Sequence, residues 1–103
     1  MTLEVHNMLV LSTGHLRLET AQTLPDSLEQ MLKENPPIWW PSFVRAEGWL
    51  FTVPDSEAWQ DDRYHDAPED LRAAITFARV HGCAWLMFDQ DGPVIGDLPH
   101  WSW

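Results

Sequence analysis

Short apolar runs along the chain predict the strands of a small sheet. Residues 5–12 form an apolar run that ends in Ser-Thr-Gly, which is typical of a buried strand followed by a turn. Apolar and aromatic side chains alternate along 46–53 and fill 84–88, which predicts a second and a third strand. The Asp-Gln-Asp-Gly sequence at 89–92 has turn composition and predicts a return through 93–95 as a short fourth strand.

Leucines at three-to-four spacing predict a helical region over residues 16–35. Because proline disrupts a helix interior, Pro25 is expected to divide this region into a short piece and a longer one that starts near Asp26. Residues 36 and 37 are both proline and end the helical pattern. Residues 38–42, which contain a Trp-Trp pair between prolines, are expected to be extended and packed on the domain.

A second helix is predicted after Asp66, which is a suitable helix cap, with Pro68 inside the first turn. Glu69 and Asp70 are well placed against the helix dipole, and Gly82 is a natural C-terminal stop. The predicted core face of this helix consists of Leu71, Ala74, Ile75 and Ala78.

These elements predict an α+β domain, or a small α/β one, with two layers: a mixed sheet of about four strands and two helices mainly on one face. With 103 residues, of which 45% are hydrophobic, the chain is expected to fold as a single domain over 1–103. Cys83, the single cysteine, has no internal disulfide partner, and no segment suggests export or membrane insertion. We therefore expect a cytoplasmic protein that does not bind membranes.

The net charge of −10 is concentrated in residues 55–70, which contain seven acidic residues and a single basic residue, Arg63. Such a surface repels nucleic-acid phosphates, so direct nucleic-acid binding is disfavoured. The segment is either a solvated loop or a negative patch that docks a basic protein or imitates DNA. Its acidic residues are Asp55, Glu57, Asp61, Asp62, Asp66, Glu69 and Asp70.

Two stretches of the chain resemble a known family. They are the Leu-Ser-Thr-Gly-His-Leu sequence at 11–16 and the C-terminal third, which runs from His-Gly at 81–82 through Asp-x-Asp-Gly-Pro at 89–93 to Leu-Pro-x-aromatic-x-Trp at 98–103. Together they resemble a family of small bacterial proteins of unknown function associated with plasmids, phages and integrating elements. The resemblance implies a compact intracellular fold and a mobile-element context, and it assigns no catalytic residues to this chain.

Ser12, Thr13, Gly14 and His15 lie where a strand is predicted to pass into a helix, a place where backbone N–H groups and hydroxyls can hold an anion or a small molecule. The sequence lacks the second glycine and the lysine of a phosphate-binding loop, and a structural turn capped by a hydroxyl is the alternative.

Asp89 and Asp91 could contribute to a cation site, but a full site needs more oxygens, and aspartate is common in turns. Similarly, the five histidines lack metal-ligand spacing, and Cys83 lies where a lone cysteine is usually a small buried hydrophobe. We predict no metal and no cofactor.

Seven tryptophans are a large number for this chain length. Trp49 and Trp85 occupy strand positions and are predicted to be core. The others lie in the acidic segment or outside regular elements, where they either pin the chain onto the domain or form an exposed interaction face. These are Trp39, Trp40, Trp59, Trp101 and Trp103.

The leading hypothesis is a non-enzymatic accessory protein of a mobile element that binds another protein through exposed tryptophans and the acidic segment, with an inhibitor that mimics DNA as one version. The first alternative is a small-molecule or metal-dependent enzyme with a pocket near Ser12, Thr13, His15 and Asp89. The second is a homodimer with no ligand.

Overall fold

The structure, a computed structural model, has a sheet and helices in the order β1, α1, β2, β3, α2 and β4. Their bounds are Met8–Ser12 for β1, Leu18–Thr23 for α1, Phe43–Arg45 for β2, Gly48–Thr52 for β3, Glu69–Val80 for α2 and Trp85–Asp89 for β4. A short 3-10 turn, Thr13–His15, follows β1. The residues described are 3, 5–25, 27, 31, 39–54 and 67–102.

The four strands form one mixed sheet in the order β1-β4-β3-β2. The strands β1 and β4 are parallel, while β4 with β3 and β3 with β2 are antiparallel. A parallel pair requires a long crossover connection, and the chain between β1 and β4 contains α1, β2, β3 and α2. Over the residues that the structure describes, the predicted α+β class, with a four-stranded mixed sheet and two helices, is confirmed.

The fourth strand lies elsewhere than predicted. Residues 93–95 form no strand, and β2 at Phe43–Arg45 completes the sheet instead. Pro93 has no N–H to donate to a ladder; its carbonyl accepts one bond from the Ser12 N–H (2.8 Å), and the Ile95 N–H donates to the ring of His15 (3.0 Å). The segment is therefore held by separate contacts rather than by strand pairing.

The helix α1 ends at Thr23, two residues before Pro25, so the predicted division at this proline is confirmed. Asp26 and most of the predicted longer piece lie outside the described residues. Where the chain is described again, the Met31 N–H donates to the Ser27 carbonyl (3.1 Å), which is the bond of an α-helical turn.

The predicted helix after the acidic segment is confirmed as α2, but its start differs from the prediction. Pro68 is the N-cap residue and lies just before the first turn rather than inside it. The predicted cap, Asp66, lies outside the described residues. At the other end Gly82 has a φ of 74°, and the Cys83 N–H donates to the Ala78 carbonyl (2.9 Å), which is the Schellman arrangement that ends a helix.

The core lies between α2 and one face of the sheet. All four residues predicted for the core face of α2 are buried. They pack with Leu11 of β1, Phe51 of β3 and two residues of β4 in a single apolar cluster. The rings of Phe51 and Phe88 meet edge to face at 5.7 Å. The cluster consists of Leu11, Leu16, Leu24, Phe51, Val53, Ala67, Leu71, Ala74, Ile75, Ala78, Leu86 and Phe88.

Candidate functional site

An apolar row crosses the face of the sheet opposite the core. Because register partners on neighbouring strands point to the same side, the pairings Val10 with Met87, Met87 with Leu50 and Leu50 with Phe43 place these four side chains in one line. The line includes one residue from every strand of the sheet. We call this surface the open face.

A second row of the open face contains Met8, Trp85 and Thr52, again as register partners. Phe43 is 55% exposed and Met8 49% exposed, while Val10, Leu50, Met87 and Trp85 are half-buried. Among the described residues, none of these six apolar side chains belongs to the core cluster. The open face is therefore an apolar surface distinct from the core.

Polar groups border the open face along a third row. Arg45 pairs in register with Gly48, and Gly48 with Asp89. The Arg45 guanidinium donates a hydrogen bond to the Met87 sulfur (Nη1 to Sδ, 3.3 Å) and forms an ion pair with Glu47 at 3.4 Å. An apolar centre bordered by charged side chains is the usual composition of a protein interface.

The prediction that Trp85 belongs to the core is wrong. Trp85 occupies a strand position, as expected, but its register places it on the open face beside Met8. Trp49, on the opposite side of β3, does pack against the core, and its indole Nε1 donates to the Pro25 carbonyl at 2.6 Å.

The four residues predicted to bind an anion make contacts within the protein. The Ser12 hydroxyl accepts the Gly14 N–H (3.0 Å), and the Leu16 N–H donates to the Thr13 carbonyl (3.0 Å). The Gly14 carbonyl accepts the N–H of Trp101 (2.8 Å). This arrangement is the structural turn that the sequence offered as the alternative, and anion binding stays a prediction.

His15 is 2% exposed, and both of its ring nitrogens are hydrogen-bonded to backbone. Its Nε2 lies 3.0 Å from the N–H of Ile95 and its Nδ1 lies 2.8 Å from the carbonyl oxygen of Pro99. An N–H donor facing Nε2 and a carbonyl facing Nδ1 assign the neutral tautomer with its proton on Nδ1. The ring therefore ties the C-terminal segment, residues 93–102, to the turn after β1.

The structure brings Ser12 and Asp89 together as register partners at the ends of the parallel strands. The Asp89 carboxylate accepts the Asp91 N–H (2.8 Å), which is the local turn bond that aspartate favours. Across the described part of the chain, no three His, Cys, Asp or Glu side chains group to hold a metal ion.

The described tryptophans outside the sheet are half-buried. The rings of Trp39 and Trp40 meet edge to face at 5.8 Å, and both pack against the core, as predicted for this segment. The Arg17 guanidinium carbon lies 5.2 Å from the centre of the Trp101 ring. These three rings fit the role of pinning the chain onto the domain.

Seven of the predicted protein-binding residues, five carboxylates and two tryptophans, lie outside the described residues. They are Asp55, Glu57, Asp61, Asp62, Asp66, Trp59 and Trp103.

The cavities described are small or shallow. One of about 190 Å³ lies beside the β2–β3 turn, lined in part by Thr13, Arg45 and Gln90. Another of about 110 Å³ lies between Arg17, Asp70 and Trp101. Both are below the several hundred Å³ that small-molecule sites usually enclose. A third, of about 390 Å³, is a shallow depression beside Leu18 and Trp101.

Sequence reasoning missed the residues of the open face, because their alignment depends on strand register. One signal was present in the sequence: β1, β3 and β4 are apolar on both faces rather than alternating. Such continuous apolar strands are typical of sheets that are covered on both sides.

The fold and this surface together define a small α+β domain with one sheet face packed on helices and a second, apolar face. The family profile described as "Family of unknown function (DUF5983) C-terminal domain" matches residues 8–103, and the chain belongs to this family. The predicted membership of an unknown-function family is confirmed. No curated protein and no solved structure matches the chain. In the described part of the chain, no helix has the length and apolar character needed to cross a membrane.

Proposed function

We propose that this domain is a non-enzymatic protein-binding module and that its open face is the docking surface. The observation that carries the proposal is the apolar row Val10, Met87, Leu50 and Phe43, which spans all four strands. Phe43, at one end of the row, is more than half exposed. Large apolar side chains that adjoin one another on a surface are characteristic of protein interaction sites.

The partner expected from the charge of this chain is a basic protein. Sixteen acidic and six basic residues give a net charge of −10, so association with a basic partner is favoured by long-range attraction. Residues 55–66, which carry five carboxylates and one arginine, follow β3 in the chain. As part of the same proposal, the carboxylates of residues 55–66 imitate the phosphates of DNA.

Two further parts of the proposal rest on the sequence. The resemblance of 11–16 and of the C-terminal third to proteins of plasmids, phages and integrating elements supports a role as an accessory factor of a mobile element, acting in the bacterial cytoplasm. The closing Leu98-Pro99-His100-Trp101-Ser102-Trp103 sequence supports the same assignment.

Affinity capture with three forms of the chain tests the proposal. We expect the wild-type chain to retain a partner from a bacterial host lysate in stoichiometric amount, and Phe43→Ser to lose it. Val94→Ser is the matched control, since Val94 is equally exposed at 54% but lies outside the sheet. Equal capture by all three forms would show that the open face is not the docking surface.

The enzyme and homodimer alternatives predict different results. A thermal-shift screen with nucleotides and divalent metals raises the melting temperature if the native chain binds one of them. Native mass spectrometry reports a dimer directly. A shift that is lost on Ser12→Ala, or a stoichiometric dimer with no other partner, would replace the proposed function.

A further inference from the structure

We infer that the occupant of the open face is an amphipathic helix whose polar side is basic. This inference rests on the proposed function, because it names the kind of partner that the same surface binds. It follows from the shape of the face, the pattern of its strands, its side chains and the charge of the chain.

The dimensions of the open face match a single helix. Four strands at a spacing of about 4.8 Å place the outer strands about 14 Å apart, and a five-residue strand extends about 17 Å. An α-helix has a diameter of about 10–12 Å, and three turns of it extend about 16 Å. One helix of three to four turns therefore covers both apolar rows.

The strand pattern is that of a sheet with a layer on each side, whereas the described residues place the core on one side only. Leu9, Leu11, Leu86 and Phe88 face the core, while their neighbours Val10, Trp85 and Met87 face the other side and are also apolar. A sheet that packs on one side only usually alternates apolar with polar residues. A helix on the open face would complete the arrangement in which helices cover both sides of a sheet.

The side chains of the face suit a helical ligand. Met8 and Met87 are flexible and polarisable, and they adapt to the ridges of a helix, as methionines do at surfaces that bind amphipathic helices. Trp85 and Phe43 contribute broad rigid contacts, and aromatic residues dominate interface energetics.

Charge distinguishes a basic helix from a second copy of the chain. Two copies would each bring a net charge of −10 to the interface, and their repulsion opposes association. A helix with lysine or arginine on its outer side is attracted by the same charge.

Titration of the full ¹⁵N-labelled chain with a designed peptide tests the inference. The peptide has sixteen residues with leucines on one helical face and lysines on the other. We expect affinity at least tenfold higher than for a scrambled peptide of equal composition, with amide shifts concentrated in β1, β3 and β4. The same peptide with glutamates in place of lysines should bind at least tenfold more weakly than the lysine form.

Variants assign the binding to the face. Phe43→Ser and Met8→Ser should each weaken the lysine peptide at least fivefold, while Val94→Ser leaves it unchanged. Equal affinity for the scrambled peptide, or shifts confined to α2, would overturn the inference. So would a wild-type dimer in analytical ultracentrifugation that Phe43→Ser makes monomeric, since the occupant would then be a second copy.

The two proposals fail separately. If lysate capture depends on Phe43 but the helical peptide does not bind the open face, the docking surface stands and the helical partner is wrong. If neither the captured protein nor the peptide depends on Phe43, both are wrong.

Discussion

The ring of His15 lies 2.8 Å from the carbonyl oxygen of Pro99 (measured from Nδ1), a residue 84 positions further along the chain. The other ring nitrogen accepts the Ile95 N–H. One buried side chain therefore connects the turn after β1 with two points of the C-terminal segment, and the Trp101 N–H adds a bond to the Gly14 carbonyl. Hydrogen bonds therefore tie the C-terminal segment to the turn after β1 at three positions: Ile95, Pro99 and Trp101.

We expect His15→Ala to lower the free energy of unfolding by about 2–4 kcal/mol. The substitution removes two hydrogen bonds and leaves the Ile95 N–H and the Pro99 carbonyl without their partner, and each such loss costs about 1–2 kcal/mol. Urea denaturation followed by tryptophan fluorescence measures the change.

Two conservative variants separate the bonds of His15. Asparagine places a donor where Nδ1 stands, and glutamine places an acceptor near Nε2, so each retains one of the two bonds. His15→Asn and His15→Gln should therefore unfold between wild type and His15→Ala. If all three variants are as stable as wild type, the ring does not hold the C-terminal segment.

Asp70 at the start of α2 caps α1. Its carboxylate accepts hydrogen bonds from the backbone N–H of Arg17 (2.7 Å) and from the hydroxyl of Thr20 (2.8 Å). One side chain of α2 therefore pairs with two hydrogen-bond donors at the N-terminus of α1. We expect Asp70→Ala to destabilise the fold by about 1–2 kcal/mol, as loss of a helix cap does. Glu69→Ala, one position earlier and exposed, is the control and should change stability by less than about 0.5 kcal/mol. Chemical denaturation compares the two, and equal effects would contradict the capping role.

Gly48 allows β3 to approach β4. A Cβ atom at this position would overlap the carbonyl oxygen of Phe88, which belongs to the backbone and cannot rotate away. Gly48→Ala is expected to cost more than about 3 kcal/mol, because the strands must separate to accommodate it. At Gly96 an added Cβ meets no atom within 4 Å, so Gly96→Ala should be nearly neutral. Melting temperatures of the two variants test this contrast, which a similar loss in both would refute.

The elements that the sequence predicts well are those with local signals. The helix α2 has a regular apolar spacing and a glycine stop, and both determine its position without reference to the rest of the chain. The strand β2 has neither: it is three residues long and joins β3 through a turn that contains Ala46 and Glu47, which are not typical turn residues.

The prediction of a strand at 93–95 failed because a distant residue decides its structure. The predicted turn after Asp89 is present. However, the Ile95 N–H donates to the His15 ring rather than to a neighbouring strand, and Pro93 has no N–H to donate. The open face could not be predicted from the sequence for a similar reason. Val10, Leu50 and Met87 are far apart in the chain, and only the strand order places them in one row.

Two phenylalanines of the sheet should differ sharply in their contribution to stability. Phe51 is 1% exposed and meets the ring of Phe88 in the core, whereas Phe43 is 55% exposed at the end of the open face. We expect Phe51→Ala to lower the free energy of unfolding by about 3–5 kcal/mol, as removal of a buried aromatic ring does.

By contrast, Phe43→Ala should cost less than about 1 kcal/mol, because much of this ring already contacts water in the folded chain. Urea denaturation of both variants gives the two values under the same conditions. The contrast separates the two faces of the sheet. Residues that stabilise the fold face α2, and residues available to bind a partner lie on the opposite face. A loss at Phe43 as large as that at Phe51 would mean that the open face is already packed in the isolated chain, and the docking surface would have to be sought elsewhere.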